Sequence, residues 1–166
     1  MSTLSLDAEA LYVDLRQGIK NLLTPQGVLV GVWSGGAWLV ERLREDLSLA
    51  PERVGVISSA LHRDDFSSRG LAAGHDPTDL PFAVEGASIV LVDDVLFTGR
   101  TTRAVINELF DFGRPVQVQF AVLVDRGGRE LPIEPVYSAA RIRLPTTQRL
   151  SLARDMTGRL SFANLA

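Results

Sequence analysis

Two adjacent carboxylates and several hydroxyl groups lie close together near the middle of the chain. Asp93 and Asp94 follow the apolar run 89–92, and the turn 97–101 after them carries threonines, a glycine and an arginine. The apolar run is typical of a strand buried on both faces, and helical spacing of apolar residues begins at Thr102. A strand, a turn and a helix in this order surround an anion with backbone N–H groups and hydroxyls. The residues predicted to hold a phosphate are Thr98, Gly99, Arg100, Thr101 and Thr102.

The two carboxylates cannot bind a phosphate themselves, because they carry charge of the same sign. They suit a neighbouring group that carries hydroxyls or a divalent cation, such as a ribose. A 5-phosphoribosyl group has both parts, so the sequence favours a ligand of this kind. The structural alternative is an acidic pair that only caps a helix, but the threonine-rich turn favours a ligand site. The site has neither a Walker A sequence nor a Gly-x-Gly-x-x-Gly fingerprint.

The helix that follows the central turn is predicted from the spacing of its apolar residues. Val105, Ile106, Leu109 and Phe110 are placed on one side of it, and Gly113 ends it. This side should therefore pack against the sheet.

A second strand, turn and helix precede the central one. The apolar run 27–33 leads into Ser34, Gly35 and Gly36, and apolar residues at helical spacing follow over 37–47. Glycines allow the backbone to approach a ligand closely, so this turn is a second candidate anion site. A purely structural turn remains the alternative.

The remaining elements can also be predicted from hydrophobic spacing. An amphipathic helix is expected over 5–23, with Asp7 or Ser5 as its cap. Alternation of buried strands with helices predicts an α/β fold with a mainly parallel central sheet and helices on both faces. Apolar residues predict strands at 27–33, 53–58 and 115–125, the last of which starts with alternation and ends fully apolar. Shorter strand candidates lie at 150–152 and 160–162.

Composition excludes several classes of protein. The 166 residues are 46% hydrophobic and 22% charged, as expected for one globular domain, and no apolar run approaches the ~20 residues of a membrane span. The chain has no cysteine and only two histidines, which argues against disulfides, thiolate metal sites and histidine metal cages. The net charge of −3 argues against a protein whose main task is to grip nucleic acid. We therefore expect a cytoplasmic enzyme with no membrane partner.

The central run Val-Asp-Asp-Val-Leu-Phe-Thr-Gly-Arg-Thr resembles the phosphoribosyl-pyrophosphate (PRPP) motif of type I phosphoribosyltransferases. With the downstream run Val-Leu-Val-Asp-Arg-Gly-Gly-Arg-Glu-Leu-Pro-Ile, the chain resembles the PyrR family. These proteins are uracil phosphoribosyltransferases, and many also regulate pyrimidine genes by binding RNA. The resemblance implies the type I phosphoribosyltransferase fold with a small hood over the sheet, as a single domain of residues 1–166. It also implies a reaction in which PRPP and uracil give UMP and pyrophosphate with Mg²⁺, and a homo-oligomer.

The resemblance also implies roles for individual residues around PRPP. Asp93 and Asp94 would orient the ribose hydroxyls directly or through Mg²⁺ or water, and Asp94 would stabilise charge at the anomeric carbon or help handle the proton of the base. The segment at about 60–82 would be a flexible lid. Pyrophosphate would be held by Ser34, Gly35, Gly36 and Arg63, with a non-proline cis peptide common in the first of these loops. Val124, Asp125 and Arg126 would lie near the base.

The chain departs from the family pattern at two places. Ser34-Gly35-Gly36 stands where the family usually has Thr-Arg-Gly, so a cation beside pyrophosphate is lost. Gly128 stands where relatives have a histidine of the regulatory surface, which weakens the expectation of RNA binding. Three alternatives therefore stay open. They are an RNA-binding regulator that responds to UMP or PRPP with weak or no catalysis, a phosphoribosyltransferase for another base, and a ligand-binding protein without turnover.

Overall fold

A computed structural model of the protein describes residues 5–59 and 77–165. Most of the predicted lid, including Arg63, lies outside the described residues. Within the described ranges, no helix has the length and apolar character that crossing a membrane requires.

A five-stranded sheet forms the centre of the fold, with all of its neighbouring strands parallel and in the order β2-β1-β3-β4-β5. The strands predicted at 27–33, 53–58, 89–92 and 115–125 are confirmed as β1 to β4, whereas β5 was not predicted because its residues are only partly buried and follow no clear alternation. The bounds are Val28–Val32 for β1, Val54–Ile57 for β2, Ser88–Leu96 for β3, Gln117–Asp125 for β4 and Tyr137–Arg141 for β5.

The central strand β3 is longer than its apolar run suggests. Asp93 and Asp94 were expected to follow the strand, but they lie within its last part. Pairing with β4 continues through Asp93 and includes Leu96 opposite Asp125. Backbone hydrogen bonds to the neighbouring strand therefore extend β3 past the point where its side chains cease to be apolar.

Helices cover both faces of this sheet, as predicted. On β3, Val90 and Val92 belong to one apolar cluster and Ile89 and Leu91 to the other, because successive side chains of a strand point to opposite faces. Helices α1 and α2 pack in the first cluster and α3 packs in the second. Their bounds are Ala8–Leu22 for α1, Gly35–Asp46 for α2 and Arg100–Phe112 for α3.

Helix α3 confirms part of its predicted buried side. Val105 and Leu109 are fully buried, Ile106 is partly buried, and Gly113 ends the helix. Phe110 was predicted to be on this side, which is wrong: it is 51% exposed. Phe110 is five residues after Val105, about 140° further around the helix, so its side chain points away from the sheet.

The carboxyl-terminal part forms an antiparallel hairpin of β6 (Arg149–Arg154) and β7 (Leu160–Leu165), which confirms the two predicted short strands. Leu150, Leu152 and Leu160 pack in the same apolar cluster as α1 and α2. The chain that leads to this hairpin passes the carboxyl end of β4, consistent with the small hood expected over this edge of the sheet. There Arg126 donates hydrogen bonds to the carbonyls of Pro145 (3.0 Å) and Gln148 (2.9 Å).

Candidate phosphoribosyl site

A cavity of about 340 Å³ lies at the carboxyl ends of β1 and β3, where open parallel sheets place their ligands. The turn between β1 and α2 lines one side of it with Trp33, Ser34 and Gly35. The end of β3 and the start of α3 line the other side. The residues on that side that were predicted from the sequence are Asp93, Asp94, Thr98, Gly99, Thr101 and Thr102.

The two turns meet at the Asp94 carboxylate. A Cβ atom added to Gly35 would lie 2.3 Å from Asp94 Oδ2, which is closer than non-bonded atoms approach. Gly36 is equally restricted, because its Cβ would lie 2.3 Å from the carbonyl oxygen of Val92. The two glycines therefore let the start of α2 approach β3 closely, and Gly35 forms a wall of the cavity beside Asp94.

The carboxylates of the acidic pair accept hydrogen bonds from the backbone that follows them. Asp93 Oδ1 accepts from the Asp94 N–H, and Asp94 Oδ1 accepts from the Val95 N–H, both at 2.8 Å. These bonds orient both side chains at the end of β3. Asp94 Oδ2 is the oxygen that faces the turn at Gly35.

Helix α3 begins without a capping side chain at its N-cap position. That position is Gly99, with φ of 92°. This left-handed conformation is one that glycine adopts readily. Thr98 Oγ1 accepts from the Arg100 N–H at 3.2 Å, and Thr102 is buried. The N-terminus therefore presents its positive dipole end and threonine side chains to the cavity.

The N-terminus of α2 has the same character. Its N-cap Ser34 makes no side-chain capping hydrogen bond. The peptide bond between Trp33 and Ser34 is cis, which confirms the expectation for this loop. Two helices thus begin at one cavity without a capping side chain.

Several predicted residues do not line the cavity. Gly36 packs against β3, and Arg100 forms an ion pair with Glu130, at 2.6 Å from Nε to Oε2, with a side chain 58% exposed. Val124, Asp125 and Arg126 lie at the end of β4 but are not part of the cavity wall. The cavity therefore brings together the ribose and phosphate candidates but not the base candidates.

The Asp125 carboxylate is hydrogen-bonded by residues that follow it in the chain. Its Oδ2 accepts from Arg129 Nη2 at 2.7 Å and its Oδ1 accepts from the Gly127 N–H at 3.0 Å. Burial acts to raise the pKa of Asp125, but the hydrogen bonds from Arg129 and Gly127 and the positive charges of Arg129 and Arg141 together lower that pKa below its ordinary value. The carboxylate is therefore an ionised anchor for Arg129.

Phe97 is a cavity residue that the sequence did not single out. Phe97 is among the residues that line the cavity, and the Arg126 guanidinium stacks on its ring at 4.1 Å from the ring centroid. Tyr137, on β5, is engaged elsewhere, because its hydroxyl donates to the Asp14 carbonyl on α1 at 2.8 Å. The position of Phe97 within the central motif was a signal that could have identified it, because neighbouring motif residues were assigned to the ligand.

The donors at the site fit a magnesium ion that is held mainly by substrate. Among residues 5–59 and 77–165 no three His, Asp or Glu side chains gather as a metal cage. The cavity offers the two carboxylates of Asp93 and Asp94, which are the hard oxygen donors that Mg²⁺ prefers. Mg²⁺ commonly combines one or two carboxylates with phosphate oxygens of the ligand and water.

Comparisons with known proteins agree with this geometry. The family model described as phosphoribosyl transferase domain matches residues 8–145. The bifunctional protein PyrR of Ralstonia nicotianae is 50% identical over 162 residues, covering 95% of this chain and 92% of that protein. The bifunctional protein PyrR of Nitrosococcus oceani is 40% identical over 153 residues, covering 89% and 86%.

Solved structures support the fold. A hypoxanthine phosphoribosyltransferase of Trypanosoma cruzi superposes with a TM-score of 0.59 at 21% identity, over 86% of this chain and 83% of that one. A hypoxanthine-guanine phosphoribosyltransferase of Bacillus anthracis gives a TM-score of 0.61 at 18% identity, over 89% and 86%. At these identities the likeness concerns the fold alone.

Proposed function

Because this chain belongs to the PyrR family of phosphoribosyl transferase domain proteins, we propose that it transfers the 5-phosphoribosyl group of PRPP to uracil, forming UMP and pyrophosphate. One observation carries the proposal. An acidic pair, an uncapped helix N-terminus with threonines and a glycine turn surround a single cavity. These are the surroundings that a ribose bearing one phosphate and one pyrophosphate requires.

Each part of PRPP has a proposed place. The ribose hydroxyls bind Asp93 and Asp94, and the pyrophosphate binds the turn of Ser34, Gly35 and Gly36. Arg63, outside the described residues, completes the pyrophosphate site in the proposal. The 5′-phosphate binds the turn and first helical residues Thr98, Gly99, Arg100, Thr101 and Thr102.

The reaction breaks the bond between the anomeric carbon and pyrophosphate and forms a bond from that carbon to a ring nitrogen of uracil, which loses its proton. Positive charge develops on the sugar, as in the cleavage of a glycoside. Asp94 lies where a carboxylate can stabilise this charge or help to receive the proton. Mg²⁺ bound with PRPP would neutralise the departing pyrophosphate. The other contribution of the chain is to hold the reacting groups in place.

The base is proposed to lie at the end of β4, near Val124, Asp125 and Arg126. Since the Asp125 carboxylate already binds Arg129 and Gly127, backbone groups of this segment are better placed to read the base than that side chain. Phe97, whose ring stacks with the Arg126 guanidinium, connects this segment to the cavity lining. A different base remains the alternative, and substrates with other bases test it directly.

Regulation is a second candidate role, because the similar proteins are named bifunctional. In this proposal UMP or PRPP controls binding of RNA. The net charge of −3 and the glycine at position 128 favour catalysis as the main activity. A homo-oligomer in the cytoplasm stays part of the proposal, and sedimentation of the purified protein tests its assembly.

The test is turnover with PRPP, Mg²⁺ and radiolabelled uracil, with hypoxanthine and orotate in parallel. We expect UMP from the wild type and a loss of at least about 100-fold in the Asp93→Asn/Asp94→Asn double variant. Asp111→Asn, an exposed carboxylate near the far end of α3, is the control and should retain turnover. No product with any base, together with saturable UMP binding, would contradict the catalytic proposal and favour the regulator.

A further inference from the structure

The segment 126–134, named here the brace, follows β4 and lies against the turn that leads from β3 into α3. Three consecutive carbonyls of that turn each accept a hydrogen bond from the brace. The bonds run from the Arg126 N–H to Leu96 O at 3.0 Å, from Arg129 Nη1 to Phe97 O at 3.1 Å and from the Glu130 N–H to Thr98 O at 2.9 Å.

These bonds decide which way the peptide groups of the turn face. In a trans peptide the N–H of one residue points opposite to the carbonyl of the residue before it. The N–H groups of Phe97, Thr98 and Gly99 therefore point away from the brace. These residues line the cavity, whereas none of the described brace residues does. The brace thus turns the three N–H groups to the side where the 5′-phosphate is proposed to bind.

Arg129 connects the brace to the turn through its side chain, which is 15% exposed. The guanidinium donates from Nη1 to Phe97 O, from Nε to Ile133 O at 2.7 Å and from Nη2 to Asp125 Oδ2 at 2.7 Å. The planar fork of an arginine spreads its N–H donors over three nitrogens in fixed directions, so it reaches these three separate acceptors from one position. Because Asp125 is itself held by the Gly127 N–H, the guanidinium has a fixed anchor.

Apolar contacts hold the same turn from the same side. A Cβ atom added to Gly99 would lie 3.1 Å from Ile133 Cγ1 and 3.6 Å from Leu131 Cβ. The ion pair between Arg100 and Glu130 is half exposed, so it contributes little. Two side chains of the brace contact the turn: the Arg126 guanidinium stacks on the Phe97 ring, and the largely buried guanidinium of Arg129 hydrogen-bonds the Phe97 carbonyl.

We propose that Arg129, anchored by Asp125, is a positioning residue for the phosphate-binding turn. By holding the Phe97 carbonyl it keeps the N–H groups of the turn directed at the 5′-phosphate of PRPP and of UMP. The proposal rests on the assignment of Thr98 to Thr102 to this phosphate. It requires no contact between Arg129 and either ligand.

Two substitutions separate positioning from folding. Arg129→Gln removes the charge and leaves Asp125 without its cationic partner. Arg129→Lys keeps a positive charge for Asp125, but one ammonium group cannot also hold the carbonyls of Phe97 and Ile133. Arg154→Gln is the matched control, because Arg154 forms an ion pair with Glu41 at 2.8 Å on the surface, away from the cavity.

The readouts are the KM for PRPP and for uracil, kcat, the Kd for UMP by calorimetry and the melting temperature. We expect Arg129→Lys to melt near the wild type and yet to raise the KM for PRPP and the Kd for UMP by about tenfold. The KM for uracil and kcat should change far less, because the lost binding is equal in the ground and transition states. Arg129→Gln should raise the same constants at least as much, and Arg154→Gln should leave them unchanged.

Unchanged KM for PRPP and unchanged Kd for UMP in folded Arg129→Lys would overturn the proposal, even if Arg129→Gln fails to fold. Wild-type protein that binds UMP without turning over PRPP would contradict the proposed reaction, and the Kd values of the variants would still decide the role of Arg129. A wild type that binds neither PRPP nor UMP would overturn both.

Discussion

The N-terminus of α1 and the N-termini of α2 and α3 are built differently. In α1 the Asp7 carboxylate accepts hydrogen bonds from the N–H groups of Glu9 (3.0 Å) and Ala10 (3.1 Å), so Asp7 caps the helix. Helices α2 and α3 begin at Ser34 and Gly99 with no side-chain cap, and both open on the cavity. The N-terminus of α1, a helix that only packs against the sheet, is closed by its cap. The N-termini of α2 and α3 are open, because their positive ends remain available to an anion.

This difference indicates which helix N-termini can contribute to the binding of an anionic ligand. A capping side chain contributes about 1 kcal/mol to the stability of a helix. Two helices of this chain forgo such a cap at the same cavity. Anionic groups of a ligand can take the place of the missing cap, so helix stability and ligand binding should be linked at α2 and α3 but separate at α1.

The largest effect is expected at Gly35, where the start of α2 approaches the Asp94 carboxylate. In Gly35→Ala the added methyl would meet the Asp94 carboxylate, so this carboxylate or the start of α2 must move. We expect kcat/KM to fall by about 100-fold, because small displacements at a reacting centre are costly. Steady-state kinetics measures the fall.

Gly158→Ala is the control for this change. Gly158 has φ of 88° and no atom within 4 Å of an added Cβ, so the substitution strains the backbone without reaching the site. It should lower the melting temperature and leave kcat/KM unchanged. Equal kinetics for both variants would show that the approach of Gly35 to Asp94 has no functional role.

A smaller effect is expected when an open terminus receives a carboxylate of its own. Ser34→Asp places a negative charge at the start of α2, within the cavity wall. Repulsion of pyrophosphate should raise the KM for PRPP by about tenfold at low salt and less at high salt. Ser34→Asn has the same shape without the charge and should stay close to the wild type. If the two variants behave alike, charge at this terminus does not matter to PRPP.

The smallest effect on activity is expected at the closed terminus. Asp7→Ala removes the cap of α1 and should lower the free energy of unfolding by about 1 kcal/mol. Chemical denaturation measures this loss, while the KM for PRPP should not change because α1 does not line the cavity. A raised KM in this variant would show that the two kinds of helix terminus are not independent.

Sequence patterns predicted the elements whose residues carry strong local signals. Apolar strand patterns identified β1 to β4, and helical spacing identified α1, whose cap is Asp7, one of the two residues predicted for that position. Phe110 was misassigned because helical spacing alone does not say how wide the buried side of α3 is. β5 was missed because its residues are half-buried, and neither burial pattern nor composition marks such a strand.

The sequence by itself determined the chemistry available to the site: an acidic pair, threonine hydroxyls, glycine turns and two strand-to-helix transitions in an α/β fold. These follow from residue types and short spacings, which act locally. Only the tertiary structure decided that the turns after β1 and β3 share one wall through Gly35 and Asp94. It also decided that Asp125 binds Arg129, and that the brace holds the phosphate-binding turn from the side away from the cavity. The approach of Gly35 to Asp94 and the contacts of the brace with the turn join segments that are distant in sequence, and they form only because parallel pairing brings the carboxyl ends of the strands to one edge.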